Sequence, residues 1–227
     1  MPVPANRQPQ LYRFASESHV RAIQRHHVRW FVEGRARRVL DVGCGRGLFL
    51  ELLRDAGIEA VGMDGDAEAV ARSVAAGFAV ERGDALALLD RAHADGQRFG
   101  GVFLSHLVEH FEAPLAERLL SACASVLAPG GRVVVITPNI ENPLVWNRGF
   151  WLDPTHVRPY PRPLIEGLLA DSGLRVIASF DDPKTAPRAG RATPLADLRD
   201  VIRYGVSAMR GMDAVVVAER PISDSRP

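Results

Sequence analysis

Cysteine is scarce: Cys44 and Cys123 are the chain's two, and neither stands in a C-x-x-C or other metal-ligand spacing. A disulfide framework and a cysteine-based zinc site are therefore not expected. An excess of either charge is lacking too, since 28 Lys and Arg face 27 Asp and Glu for a formal net charge of +1. With no global field to hold a nucleic acid or an anionic membrane, any charge preference has to be local. No apolar run approaches the length that spans a bilayer, and the opening MPVPANRQPQ is polar and proline-rich where a secretory leader would be apolar. The expectation is a cytoplasmic protein without nucleic acid or integral membrane as a partner. What is present is an ordinary globular composition, 47% apolar over 227 residues, enough for one substantial core.

Residues 1 to about 14 read as a lead-in. ESHVRAIQRHHVRWF then places Val20, Ile23, His27, Trp30 and Phe31 on one helical face, so residues 1–35 are expected to be a lead-in plus an amphipathic helix. From 36 to 227 apolar β-runs alternate with helical patterns. RRVLDVG, IEAVGMD, FAVERG, FGGVFLS and GRVVVIT read as strands, and LFLELLRDAG, AEAVARSVAAG, ALALLDRAH and LAERLLSACASVLA as the helices between them. LAPGG stops the last of these helices and launches the fifth strand. After it come a Trp- and Pro-rich loop at 138–163, a helix (LIEGLLADSG), a sixth strand (LRVIASF), an insertion at 182–212 with a helix pattern at 195–204, and a seventh strand (DAVVVAER). Alternation of this kind predicts a doubly wound α/β domain with a mainly parallel sheet covered on both faces.

VLDVGCGRG, residues 39–47, stands at the first strand-to-helix junction. In such sheets ligands bind beyond the carboxyl ends of the strands, where glycines let backbone approach them closely. Gly43, Gly45 and Gly47 meet that need, although three glycines also serve a tight turn that binds nothing. The third glycine of a dinucleotide fingerprint would fall on Leu48, which disfavours nicotinamide or flavin. There is no G-x-x-x-x-G-K-[ST] loop to cradle ATP.

An acidic residue followed by G-x-G-x-G resembles the first motif of the class I S-adenosylmethionine-dependent methyltransferases, and the resemblance runs over nearly the whole chain. It implies a Rossmann-like, seven-stranded, mainly parallel sheet with the last strand antiparallel. It also implies S-adenosylmethionine as cofactor and S-adenosylhomocysteine as product. By that likeness Asp41, Gly43, Cys44, Gly45 and Gly47 border the methionine part of the cofactor. Asp64 and Gly65 follow at the end of the second strand, where Asp64 would accept from the ribose hydroxyls. An ionised carboxylate offers a vicinal diol two acceptor oxygens. Asp66 competes for this role but stands where a helix N-cap would stand. Gly83, Asp84 and Ala85 match the adenine-contacting position, and Asp84 also suits an N-cap.

SHLVEHF, residues 105–111, contains His106, Glu109 and His110 in the spacing H-x-x-E-H of an inverted zinc-protease signature. Zinc ligands of that type share one face of a continuous helix, whereas here the first His comes directly off a strand end. No metal is expected. Family members spell the loop after strand four in much the same way, which puts Ser105 and His106 beside the sulfonium and Glu109 and His110 toward the acceptor. A blander reading makes Glu109 a partner of a helix N-terminus and His110 a packed edge residue.

TPNIENPLVWNRGFWLDPTHVRPYP, residues 137–161, resembles the methyltransferase part of enzymes that cap O-antigen and related polysaccharide chains, whose phrase is an aromatic residue followed by D-P-T-H-V-R-P. Trp151, Asp153, Pro154, Thr155, His156, Arg158 and Pro159 match it. The loop gathers Arg148, His156, Arg158 and Arg162 against Asp153 and Glu141. Arginine forks suit phosphate or carboxylate, and Trp146, Phe150, Trp151 and Tyr160 suit sugar rings or a closed site. A small-molecule or glycan acceptor, anionic in one version, follows. So does a structural alternative in which Asp153 pairs with Arg158 and the tryptophans pack on the sheet edge.

Methyl transfer would be an in-line displacement that rests mainly on alignment. A hydroxyl or ammonium acceptor needs a base, for which His106 and His156 are the candidates, while a phosphate oxygen needs none. Alternatives are a small-metabolite N- or O-methyltransferase of natural-product biosynthesis and a non-catalytic cofactor-binding module. The pattern does not fix an oligomeric state. His19, Tyr12 and Phe14 would make the N-terminal segment a lid.

Overall fold

The computed structural model describes residues 16–186, 207 and 210–222. Ser16 starts the first helix, α1 (Glu17–Gln24), by accepting from the His19 amide at 3.3 Å. A 3₁₀ turn, Arg25–His27, leads into α2 (Val28–Glu33). One expected helix is thus two short ones, and the residues fully buried are Val20, Gln24, His27 and Phe31. Ile23 and Trp30 are only partly covered.

Seven strands follow: β1 (Arg38–Val42), β2 (Glu59–Asp64), β3 (Ala79–Arg82), β4 (Phe99–Ser105), β5 (Leu127–Pro138), β6 (Arg175–Asp181) and β7 (Asp213–Glu219). The helices between them are α3 (Leu48–Asp55), α4 (Ala67–Ala75), α5 (Ala85–Ala94), α6 (Ala113–Val126) and α7 (Arg162–Asp171). The strands lie in the order β3-β2-β1-β4-β5-β7-β6, with β7 antiparallel to both its neighbours and the other pairings parallel. Strand β5 starts at Leu127, two residues before the Pro-Gly-Gly, and its register with β4 shifts between Phe99 and Gly101. Only the ends of the 182–212 insertion are described, and its expected helix at 195–204 lies outside the described residues, as do Tyr12 and Phe14. Among the described residues no helix is long and apolar enough to cross a membrane.

Side chains alternate across a strand, so one sheet needs two cores. Leu40, Val42, Val102, Leu104, Val133 and Val135 pack under α5, α6 and α7 against Leu89, Leu119, Ile165 and Leu169. Val39, Phe103, Val134, Ile136, Val215 and Val217 pack on the other side against Phe31 of α2 and Phe49, Leu52 and Leu53 of α3. Phe49 stacks on Phe103 with centroids 3.7 Å apart, and Phe31 meets both edge-on. The strand order reverses beside β1, between β2 on one side and β4 on the other. That is the switch point where such sheets open a crevice at their carboxyl ends.

Gly101 of β4 tests this core. A Cβ there would stand 2.2 Å from Cδ1 of Phe31, which is wholly buried. Gly101→Ala should destabilise the chain by about 1–3 kcal/mol through overpacking. Urea unfolding should show a lower midpoint at unchanged slope. A midpoint within error of the parent would mean that Phe31 has room to move.

Candidate active site

A cleft opens at the switch point, lined by Gln24, Asp41, Gly43, Cys44, Gly45, Leu48, Phe49, Asp64, Phe103, Ser105 and His106. Its floor is the turn after β1. Gly43, Gly45 and Gly47 all have positive φ, at 76°, 52° and 77°. A Cβ at Gly47 would also come within 2.8 Å of Ser73 Oγ. The buried Ser73 hydroxyl donates to the Gly45 carbonyl at 3.1 Å, and the Gly45 amide donates to Asp64 Oδ2 at 2.7 Å, so the turn is held from two sides.

Asp64 closes β2 and lines the cleft. Its oxygens each accept one backbone N–H, from Gly45 and, at 2.8 Å, from Asp66. A carboxylate has about four acceptor sites, so capacity for a diol remains. Asp66 caps α4, its Oδ1 accepting from the Ala69 amide at 2.8 Å. Asp84 caps α5 in the same manner at 3.0 Å and is exposed. Gly65, Gly83, Asp84 and Ala85 are not among the cleft's lining residues, although the Gly83 amide donates to the Asp64 carbonyl at 3.0 Å and ties the ends of β2 and β3 together. Burial, reinforced by the charge of Asp64, pushes the Asp41 carboxyl well above its usual range. Burial also pushes the Cys44 thiol up, which leaves it a neutral lining group.

The opposite wall is the H-x-x-E-H segment, and it is not one helix. His106 takes a left-handed backbone at φ 53° directly after β4, and only Val108–His110 form a 3₁₀ turn. His106 Nδ1 lies 3.3 Å from Glu109 Oε1 and its Nε2 3.4 Å from Asp213 Oδ1, with 19% of the side chain exposed. Desolvation alone would lower its pKa, but Asp213 and Glu109 outweigh it and raise it well above the usual histidine range. A raised pKa opposes the general-base role expected of His106.

Glu109 is wholly buried. Against its own desolvation, the hydrogen bond and charge of His106 and the charge of His110 hold its carboxyl below the ordinary range. Thr137 Oγ1 donates to its Oε2 at 3.2 Å. The Glu109 carbonyl accepts from the Val157 amide at 2.8 Å and from the Arg158 amide at 3.3 Å, which fastens the 138–163 loop to this wall.

Within that loop His156 Nδ1 donates to the Phe150 carbonyl at 2.7 Å, and its Nε2 lies 4.0 Å from Glu109 Oε1. Desolvation lowers its pKa, and a neutral ring that donates from Nδ1 carries its lone pair on Nε2. His110 Nδ1 lies 3.1 Å from both the carbonyl and the hydroxyl of Thr155. Asp153 accepts from the Thr155 amide at 2.9 Å and from its hydroxyl, while the Arg158 guanidinium sits over the Tyr160 ring at 5.1 Å. Trp146 and Trp151 do not pack on the sheet edge. They are 44% and 56% exposed, meet edge-to-face, and share a bond from Trp151 Nε1 to the Trp146 carbonyl at 2.8 Å. Arg148 is exposed beside them. Arg162 instead braces Glu141 at 3.2 Å and Asp181 at 3.4 Å.

Several participants had no sequence signal of their own. Asp213 reads as the first residue of a strand and Thr137 as the end of one. Gln24 had a faint signal, a polar residue four after Val20 on the buried stripe.

A methyltransferase-domain family model matches residues 12–179. The ubiquinone biosynthesis O-methyltransferase of Sinorhizobium medicae is 31% identical over 202 residues, 82% of this chain and 73% of that protein. The like-named protein of Cereibacter sphaeroides is 36% identical over 110 residues, 47% of this chain and 42% of that one, so the chain spans less than half of that relative's length. These titles differ from the polysaccharide-capping activity that the D-P-T-H-V-R-P phrase implied. Among solved structures, a SAM-dependent methyltransferase from Archaeoglobus fulgidus aligns with TM-score 0.70 and 25% identity, covering 93% of this chain and 97% of that one. Magnesium protoporphyrin IX methyltransferase from Synechocystis, solved with bound SAH, shares the fold at TM-score 0.62 and 16% identity, over 89% of this chain and 84% of that one. The glycine turn, the strand order and these matches agree: the chain belongs to the S-adenosylmethionine-dependent methyltransferases.

Proposed function

We propose that the protein methylates an oxygen of a small acceptor, with the cofactor in the switch-point cleft and the 138–163 loop as the acceptor wall. One observation carries this reading: among the described residues the cleft is lined by Asp41, Asp64 and His106 with its two carboxylates, and by no Lys or Arg. His106 with Glu109 and Asp213 nets one negative charge, and Asp64 adds another. Such a cleft favours a sulfonium cation and repels the pyrophosphate of a dinucleotide. In this reading Asp64 takes the ribose hydroxyls, Gly43, Gly45, Gly47 and Ser105 border the methionine portion, and Gly65, Gly83, Asp84 and Ala85 lie toward the adenine. Gln24 brings α1 to the rim.

When bound, S-adenosylmethionine supplies a methyl group that the acceptor oxygen displaces from sulfur, the C–O bond forming as the S–C bond breaks and S-adenosylhomocysteine leaving neutral. The chain's part is alignment and proton removal. His156 is the base suited to a hydroxyl acceptor, because its Nδ1 is committed to Phe150 and Nε2 is left to accept the proton. Glu109 then stabilises the charge that forms on His156. The named relatives support a hydroxylated precursor on the way to ubiquinone as acceptor. A glycan or sugar phosphate is the second reading, supported by the exposed Trp146 and Trp151 platform beside Arg148.

Three outcomes test this. In calorimetry Asp64→Asn should weaken S-adenosylmethionine binding about 10-fold or more, the loss of a charged hydrogen bond, and unchanged affinity would remove Asp64 from the ribose. Histidine ¹⁵N spectra at pH 7 should show His106 doubly protonated and His156 neutral with its proton on Nδ1. His106 then contributes stability that is full below its unfolded pKa of about 6.5 and is lost as pH rises through the higher folded value. Because the pKa of His156 is depressed, turnover should already be on its plateau at neutral pH and fall on the acid side. With labelled cofactor and a panel of ubiquinone precursors, nucleotide sugars, sugar phosphates and lipid-linked saccharides, label should appear on oxygen. His156→Gln should cut turnover about 10²-fold or more. Transfer to nitrogen, or a fully active His156→Gln, would defeat the proposal.

A further inference from the structure

Three titratable groups meet away from the methyl-transfer cleft: His26 and His27 in the turn before α2, and Asp182 just after β6. His27 and Asp182 are wholly buried, and the His26 side chain is 18% exposed. The two rings are tilted by 40° to each other with centroids 3.9 Å apart. Their Nε2 atoms approach different oxygens of the one carboxylate, His26 to Oδ1 at 3.1 Å and His27 to Oδ2 at 3.0 Å. Only the His27 contact is a hydrogen bond. The His26 Nε2, equally close and buried, is not aligned for one. A ligand atom from each of the three residues lies within 4.8 Å of the others.

Donor spacings near 3 Å approach the tetrahedral edge of about 3.3 Å that follows from zinc bonds of roughly 2.0–2.1 Å. We propose that His26, His27 and Asp182 form a binding site for a divalent ion of the zinc class, which fastens the N-terminal helix pair to the end of β6. Two imidazoles and one carboxylate suit that class, whereas calcium and magnesium take all-oxygen sets. The Lys184 amide donates to Asp182 Oδ1 at 2.9 Å and helps to hold the carboxylate against the two rings. A water would complete the fourth position. Gln24, two residues before His26, lines the cofactor cleft, so the ion fixes that rim as well.

Glu109, His110 and His156 also cluster within 4.8 Å, but they belong to the acceptor wall and serve as the control. Chelator-treated protein should be titrated with zinc alone by calorimetry and with cobalt(II) followed by visible absorption, independently of activity. The expected result is one ion per chain, the intense visible bands of a four-coordinate cobalt site, and a zinc-dependent rise in melting temperature. His26→Gln should weaken binding at least 10-fold, and His110→Gln should leave it intact. Zinc should move the ring signals of His26 and His27 in the parent protein, which settles the location even if His26→Gln folds poorly. No stoichiometric binding, loss of binding in His110→Gln, or shifts confined to His110 and His156 would overturn the proposal.

Discussion

A carboxylate with no solvent exposure organises the loop side of the cleft. An ion buried without partners costs several kcal/mol, and the groups set against Glu109 come from separate elements. His106 comes from the end of β4, Thr137 from the end of β5, and through His106 the start of β7 is drawn in by Asp213. The backbone of the same residue takes the amides of Val157 and Arg158. A long loop that could run over open surface is thereby tied to the carboxyl end of the sheet. The left-handed backbone of His106 is the cost of turning its ring back between two acids, for a non-glycine residue there is strained unless its surroundings over-determine it.

The cleft wall facing Glu109 uses the opposite device. Burial, with the charge of Asp64 beside it, drives the Asp41 carboxyl toward its neutral form. Asp64 accepts two backbone N–H groups and still lines the cleft, so it is the acid with acceptor capacity to offer a diol.

Local pattern made much of this legible. The period-2 and period-3.6 runs located every strand and every helix of the sheet layers, because each element buries one stripe. Asp64 was separable from Asp66 because strand ends and N-caps differ by two residues, and Asp66 does cap α4. The H-x-x-E-H spacing failed as a helix because apolar β-run continues up to Ser105. What stayed hidden is pairing across distance. Asp213 and His106 meet only because β7 inserts between β5 and β6, and the His27–Asp182 contact joins residues 155 positions apart. The aromatic loop left two readings open, sugar contact or packing on the sheet edge, and here the two rings meet edge-to-face and stay exposed.

The hidden contacts are not scattered. The Asp182 amide donates to the Asp213 carbonyl at 2.8 Å, so the residue that receives His26 and His27 is bonded through backbone to the residue that receives His106. Gln24 reaches the cleft from one end of this path and His106 from the other. A backbone shift at either aspartate must therefore move a partner of both rims, because buried polar groups in one network do not tolerate partial satisfaction. The two sides of the cleft are thus joined behind the sheet edge by β7 as well as through the cleft itself, and the antiparallel insertion of that strand between β5 and β6 is what makes the junction.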